Sequence, residues 1–271
     1  MQPAGDTPPH ARARLSFVQP VRIRSGGEAL AGLLQPATNR LLAVLLCNPF
    51  GQEAIRAQRA MRILSERLGR QSLPSLRFDY HATGDSPGED GQGRMSRWRH
   101  DILRADQLLR KQTGCQQTIW LGLGLGATLA LQTTAEVPRT SLPVSLILWD
   151  PVLDGRAYLK HLSKMHEYWT RRADATDEAL GFRLPMHLRR RIHAIQPETL
   201  TLPEGIPIHL VTHPTQPGYD AFMARAGEDI RIEASPQNSS IEWASNTALG
   251  NQWVPDQTIN DLTALCIKAI P

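Results

Sequence analysis

The chain has 271 residues, of which 41% are apolar, and this is enough for one sizeable hydrophobic core without requiring a second domain. Its net charge of +4 comes largely from scattered arginines. The densest basic run, Arg189–Arg191, has no interleaved aromatic residues, so nucleic-acid binding is not expected.

No membrane span or secretion signal is expected from the sequence. The longest strongly apolar run, Leu41–Cys47, is far too short to cross a bilayer, and the first residues lack an apolar stretch. The three cysteines are odd in number and widely spaced, which favours a reducing, cytoplasmic compartment over a disulfide framework. The histidines lack metal-ligand spacing, so neither a metal nor a cofactor is expected.

The predicted elements begin with a hairpin. Residues 1–14 are expected to form a flexible arm, and Leu15–Arg24 and Glu28–Pro36 then flank a Ser-Gly-Gly turn, as two antiparallel strands would. The continuous apolar run Leu41–Cys47 predicts a strand that is buried on both faces of a parallel sheet.

Helices and strands then alternate. Apolar residues recur at helical spacing in two stretches, which predicts two amphipathic helices: Ala57, Met61, Leu64 and Leu68, then Trp98, Ile102, Ala105 and Leu109. Short apolar runs between and after them predict strands over Leu73–Asp79, Thr118–Leu123 and Val144–Trp149. This alternation indicates a parallel sheet with helices on both faces.

The remaining chain is predicted to carry an insertion and then to complete the sheet. Residues from about 155 to 200 break the alternation and have helical character, which is typical of a cap over the active-site end of a sheet. A strand over Ile206–Thr212, a last strand within Ile230–Ala244 and a closing helix from Ile259 to Ile270 follow.

One segment carries most of the functional information. Thr118–Ala130 combines a buried strand, a turn punctuated by Gly122, Gly124 and Gly126, and the start of a small-residue helix. This layout resembles the G-x-S-x-G nucleophile elbow of α/β-hydrolases, in which the serine lies on a strained bend between strand and helix. Gly124 stands at the serine position. Without a hydroxyl, no acyl-enzyme forms there.

Three further segments support the same resemblance. Cys47–Glu53 follows the third strand, where α/β-hydrolases place an oxyanion loop, and Arg77–Gly88 resembles the D-x-R-G-x-G-x-S loop of the superfamily. With Trp149–Pro151, they are similar to hydrolase-like, serine aminopeptidase-like proteins of bacterial exosortase and exopolysaccharide gene neighbourhoods. The resemblance covers Leu15 to the C-terminus.

The resemblance implies an α/β-hydrolase domain over residues 15–271, with an N-terminal antiparallel hairpin, a mostly parallel sheet, helices on both faces and a helical cap at about 155–200. Acyl transfer in this superfamily needs serine, then an acid, then histidine, in that chain order. Gly124 removes the serine, and the last histidine is His213, whereas the family's histidine is expected near Gln252 and Trp253.

Two missing triad members predict a non-hydrolytic protein. It is expected to bind a small molecule or acyl group, or to perform chemistry without a nucleophile, and its oligomeric state is left open. No catalytic residue is expected, and Glu53 is expected only to cap the helix that follows the oxyanion loop. The candidate pocket residues are Asn48, Phe50, Gly51, His81, Gly124, Leu125, Asp150 and His213.

Two alternatives remain open. In the first, the chain is an acyl or ester hydrolase with a displaced nucleophile, for which Cys47 is the candidate. In the second, Gly122-x-Gly124-x-x-Ala127 is a dinucleotide fingerprint and Asp150 is the ribose-binding acid. The second ranks lower, because that fingerprint normally opens the sheet and here a hairpin and two strand–helix units precede it.

Overall fold

The structure, a computed structural model, describes residues 17–171, 177–227, 230–236 and 254–270. The predicted arm of residues 1–14 lies outside this part of the chain. The strands are β1 (Gln19–Ser25), β2 (Glu28–Gln35), β3 (Leu42–Cys47), β4 (Ser75–Phe78), β5 (Gln117–Leu123), β6 (Ser145–Trp149), β7 (Glu178–Ala179), β8 (Phe182–Arg183), β9 (Ile208–Thr212) and β10 (Ile232–Pro236). The helices are α1 (Gln52–Arg70), α2 (Met95–Thr113), α3 (Leu125–Thr133), α4 (Gly155–Thr170), α5 (Met186–His193), α6 (Tyr219–Met223) and α7 (Asp256–Lys268).

Eight strands form one sheet in the order β1-β2-β4-β3-β5-β6-β9-β10. Strand β2 runs antiparallel to both of its neighbours, and all other pairs are parallel. The predicted hairpin is confirmed, since Ser25 pairs with Glu28 across the turn. The predicted fold class, a mostly parallel sheet with an N-terminal antiparallel hairpin, is also confirmed.

Helices cover both faces of the sheet and bury two apolar clusters. On one face, α1 and α7 pack over the side chains of β3 that include Val44 and Leu46. On the other face, α2 and α3 cover the side chains that include Leu45 and Trp120. Every residue of the two predicted helical stripes is buried, because each stripe is the face that its helix turns to the sheet.

The segment between β6 and β9 differs from the expected helical insertion. It contains α4 and α5, but also the antiparallel hairpin β7–β8. Leu180 and Gly181 form its turn with positive φ angles of 53° and 87°. This hairpin contacts the start of α1, because the Gln52 side chain donates a hydrogen bond to the Leu180 carbonyl at 3.0 Å.

The last strand and helix agree with the sequence. Strand β10 lies within the predicted stretch and pairs in parallel with β9. In α7, Ile259, Leu262 and Cys266 are fully buried. No helix in the described part of the chain is long and apolar enough to cross a membrane.

Candidate functional site

The elbow predicted around Gly124 is present in the structure. Gly124 links β5 to α3 with φ 57° and ψ −128°, a backbone conformation that is strained for residues with a side chain. Its N–H donates to the Trp149 carbonyl at 3.0 Å, and its own carbonyl accepts from Ala127 N at 3.1 Å. A Cβ at Gly126 would overlap the carbonyl oxygens of Asn48 and Cys47, so glycine is needed for α3 to approach so closely.

The space over Gly124 is occupied by a carboxyl group from another element. A Cβ built on Gly124 would lie 3.1 Å from Glu53 Oε2 and 3.2 Å from Pro49 Cβ. Glu53 belongs to the first turn of α1, and the Tyr158 hydroxyl of α4 donates to Glu53 Oε2 at 3.1 Å. A glutamate that is hydrogen-bonded to a tyrosine therefore lies beside the position from which a nucleophile side chain would project.

Glu53 does not have the capping role expected from the sequence. The N-cap residue of α1 is Gly51, and no side chain caps this helix. Removal from water raises the pKa of Glu53 from its ordinary 4.5 to about 7. The hydrogen bond from Tyr158 and the charge of Arg56 oppose this shift, whereas the charge of Asp150 adds to it. The pair therefore holds a proton that can exchange near neutral pH.

Asp150 and Leu125 belong to this elbow site. Asp150 follows β6 with a positive φ of 43°, accepts a hydrogen bond from the Thr212 hydroxyl at 2.8 Å, and lies close enough to influence Glu53. Leu125 is the first residue of α3 and is fully buried. His213 follows β9, but its ring bonds within its own turn, with Nδ1 2.7 Å from Thr215 Oγ1.

Cys47 is unsuited to nucleophilic attack. It is fully buried at the end of β3, and burial raises the pKa of its thiol far above the usual value. Burial and a raised pKa both disfavour the thiolate that such chemistry requires.

His81 has a structural role. Its ring Nε2 lies 3.1 Å from Glu28 Oε2. Its backbone N–H donates to Asp101 Oδ2 at 2.9 Å, and its backbone carbonyl accepts from the Trp98 indole at 2.8 Å. Across the described ranges, no three histidine, cysteine, aspartate or glutamate residues form a group that could hold a metal ion.

Three other predicted pocket residues line a separate groove with a cavity volume of about 880 Å³. They are Asn48, Phe50 and Gly51, and Asn48 is held there by a hydrogen bond to the Phe78 carbonyl at 2.8 Å. Arg77 and Phe182 also line the groove. Neither was predicted as a pocket residue: Arg77 begins the segment that resembles the superfamily loop, and Phe182 carries no local signal.

Comparison with solved structures decides the fold. The chain superimposes on the esterase Pf2001 of Pyrococcus furiosus with a TM-score of 0.64, at 16% identity over 98% of this chain and 99% of that one. Est1E of Butyrivibrio proteoclasticus, solved with ferulic acid bound, gives a TM-score of 0.64 at 15% identity over 92% and 98%. A serine hydrolase without a lid from Xanthomonas campestris gives 0.56 at 12% identity over 93% of each chain.

This chain has the α/β-hydrolase fold. Neither a protein-family model nor a curated protein matches its sequence. In the α/β-hydrolase fold the residue at the elbow between β5 and α3 is the nucleophile, and here that residue is Gly124. The histidine position expected near Gln252 and Trp253 lies outside the described residues, and the sequence contains no histidine after His213.

Proposed function

We propose that this chain is a non-hydrolytic member of the α/β-hydrolase fold. One observation carries the proposal: the carboxyl group of Glu53 lies where the side chain of a nucleophile would project from the elbow. Gly124 has no group that attacks an acyl carbon, and a carboxylate beside it would repel the negative charge that develops in acyl transfer. The absence of any histidine after His213 supports the same conclusion.

The elbow site is proposed to bind a small molecule that carries a carbonyl or acyl group. The first N–H groups of a helix have no partner within the helix, and α3 begins directly after Gly124, beside which Glu53 lies. A carbonyl oxygen could accept from them, while the protonated form of Glu53 donates a second hydrogen bond. Tyr158 would hold the glutamate in place.

A second candidate function is proton transfer, and the raised pKa of Glu53 favours it. A general acid or base works best when its pKa lies near the working pH, and Glu53 titrates near 7. The group is available for abstraction of a proton next to a carbonyl, with the Tyr158 hydroxyl as its hydrogen-bond partner. This chemistry needs neither a nucleophile nor a histidine.

The dinucleotide alternative has less support. The Gly122-x-Gly124-x-x-Ala127 turn would have to receive a pyrophosphate at the start of α3, but Glu53 places a carboxyl group there. Strand β5 also lies inside the sheet, after a hairpin and two strand–helix units, whereas a dinucleotide fingerprint normally follows the first strand. We expect no binding of NAD or NADP to the protein in a fluorescence titration.

The biological setting is also a proposal. The resemblance to exosortase-associated proteins suggests a role in bacterial exopolysaccharide production. A cytoplasmic location is supported by the cysteines, since Cys47, Cys115 and Cys266 are all free thiols.

The non-hydrolytic proposal is tested by active-site labelling. The folded protein is treated with a fluorophosphonate probe and assayed with short-chain esters and thioesters, beside an active serine esterase of the same fold. We expect no labelled serine and no burst of product. Labelling of any serine in the native protein, lost on denaturation, would refute the proposal.

The proton-transfer candidate is tested by isotope exchange. Small ketones and acyl thioesters are incubated in D2O with the wild type, and the loss of α-proton signals is followed by NMR. Exchange should disappear in Glu53→Gln and persist in Glu66→Gln, which changes an exposed glutamate on the same helix. Equal exchange in the two variants would exclude Glu53 as the base.

A further inference from the structure

The groove next to the elbow is formed where α1 leaves part of the sheet uncovered. Its floor includes Leu33 of β2, which pairs with Arg77 of β4 on one side and with Pro20 of β1 on the other. Its walls include Ile55 and Met61 of α1. None of the elbow residues Gly124, Glu53 and Tyr158 lines it, so it is a separate site.

Arg77 is the unusual residue of this groove. Its relative exposure is 9%, and no hydrogen bond or ion pair joins its guanidinium to another residue in the described ranges. Its Nε is fully covered and has no partner there. A buried guanidinium without a hydrogen-bond partner is destabilising, and such groups are normally paired with a carboxylate or phosphate. Arg77 is therefore suited to bind an anion.

The acidic residues near Arg77 do not supply that anion. Asp79 accepts hydrogen bonds from the Asp85 N–H at 3.0 Å and from Asn48 at 3.4 Å. Glu66 is paired with Arg62 at 3.0 Å. Loss of water and the positive charge of Arg62 lower the pKa of Arg77, and the more distant charges of Asp79 and Glu66, which form no hydrogen bond with it, only partly oppose this shift.

The other charged residues that line the groove lie around Arg77 without pairing with it. Arg22, on β1, is exposed and adds a second positive charge. Asp85 and Asp90 are exposed in the loop beyond the end of β4, and Asp90 already accepts from the Arg183 N–H at 3.0 Å. Positive charge therefore predominates at the strands and negative charge at the loop.

The groove also offers apolar surface for the rest of a ligand. Val21, Leu33, Ile55 and Phe182 line it together with Arg77, and the volume of about 880 Å³ is ample for a small organic molecule. A hydrated phosphate would gain little from such walls, whereas an acid with an apolar body would bury that body against them.

We propose that this groove is a second binding site, which takes a small organic carboxylate. The two carboxylate oxygens accept from two N–H groups along one edge of the Arg77 guanidinium, a geometry in which one planar group matches the other. The apolar body lies between the sheet at Leu33 and helix α1 at Ile55.

The test uses hexanoate and benzoate as probes, with hexanamide and inorganic phosphate as uncharged and non-organic counterparts. Binding to the full-length protein is measured by calorimetry, and the Arg77 Nε–H signal is followed by ¹⁵N NMR. We expect the carboxylates to bind and to shift that signal. Hexanamide should bind at least about tenfold more weakly than hexanoate, because it cannot form a charge-assisted pair. Preferential binding of phosphate at Arg77, or no carboxylate binding at millimolar concentration, would overturn the proposal.

Variants separate the site from general charge effects. Arg77→Met should weaken carboxylate binding about tenfold or more, because it removes the paired group and keeps an apolar side chain. Arg24→Gln removes the same charge from an exposed position on β1 outside the groove and should leave binding within about twofold. If Arg77→Met does not fold, Ile55→Trp fills the groove from an exposed position and should abolish binding. Unchanged binding in Ile55→Trp would contradict the proposed place of the ligand. These residues are separate from Glu53, so failure here would leave the proposed function untouched.

Discussion

At the scale of single residues, the elbow combines the backbone conformation of a nucleophile turn with a glycine at the turn residue. The φ of 57° at Gly124 is strained for a serine, by about 1–3 kcal/mol, and a glycine adopts it without that cost. Glu53 Oε2 and Pro49 Cβ lie 3.1 Å and 3.2 Å from the point where a Cβ of residue 124 would stand. A glycine here thus avoids strain in the turn and leaves room for a carboxyl group whose pKa lies near 7.

Gly124→Ser should not restore hydrolysis. The new side chain meets Glu53 and Pro49, and no histidine follows His213 to deprotonate its hydroxyl. We expect p-nitrophenyl acetate turnover equal to that of the wild type, and a free energy of unfolding lower by about 1–2 kcal/mol because of the positive φ. Turnover above the wild-type level would show that another base acts at the elbow.

Glu53→Gln should change how stability depends on pH. In the wild type the pKa of Glu53 is raised from 4.5 to about 7 in the folded state, so the protonated form favours folding. This contribution to stability is complete below about pH 4.5 and is lost as the pH rises through about 7. Glutamine does not ionise, and the variant should keep that stability. Relative to the wild type, we expect the free energy of unfolding of the variant to rise by about 2 kcal/mol between about pH 5 and about pH 8. This is less than the full pKa shift implies, because Glu53 is only partly buried.

Urea unfolding of both proteins across this range measures the difference. Glu66→Gln is the control, since Glu66 is an exposed member of an ion pair within α1. A difference between Glu53→Gln and the wild type that does not change with pH would mean that Glu53 titrates normally.

At the scale of elements, close packing outweighs intrinsic helix propensity at the start of α3. A glycine-to-alanine change within a helix normally stabilises it by up to about 1 kcal/mol. At Gly126, however, the added methyl would overlap the carbonyl oxygens of Cys47 and Asn48 at the end of β3. The helix and the strand can approach each other only where a side chain is absent.

Gly126→Ala should therefore lower the free energy of unfolding, by about 2 kcal/mol or more, as overpacking does. The matched control is Gly227→Ala, where the new methyl would meet no atom within 4 Å and where we expect a change within about 0.5 kcal/mol. Chemical denaturation of both variants measures the effect. Equal stabilities would show that α3 can move away from β3 at little cost.

At the scale of the whole molecule, one buried carboxylate joins distant parts of the chain. Asp101 of α2 is fully buried and accepts from the Ser25 hydroxyl at 2.6 Å, the His81 N–H at 2.9 Å and Arg97 Nε at 3.2 Å. Ser25 is at the end of β1, His81 is in the loop after β4, and Arg97 is in α2 itself. The Asp101 carboxylate therefore links the N-terminal hairpin and that loop to α2.

Asp101→Ala should destabilise the protein by about 3–5 kcal/mol, because it leaves Arg97 and two other donors without their shared acceptor. Asp154→Ala, which removes the N-cap of α4, is the control and should cost about 1 kcal/mol. The midpoints and slopes of urea unfolding distinguish them. A loss of about 1 kcal/mol in both variants would mean that the hairpin does not depend on Asp101.

The sequence predicted the elements of the fold because each depends on neighbouring residues. Unbroken apolar runs indicated β3, β5 and β6, and the stripes of α1 and α2 indicated the faces that those helices bury. The elbow was predictable for the same reason, since Gly122, Gly124 and Gly126 lie within five residues of the chain. The hairpin β7–β8 was missed, because two strands of two residues each carry no detectable period.

The sequence by itself determined that residue 124 is a glycine and that no histidine follows His213, because both are facts about which residues are present. Only the tertiary structure decided which side chains lie over Gly124. Glu53 and Tyr158 are 105 residues apart and meet over Gly124 because α1 and α4 extend from different strands to the same edge of the sheet. Burial at that meeting point, which no local pattern records, raises the pKa of Glu53.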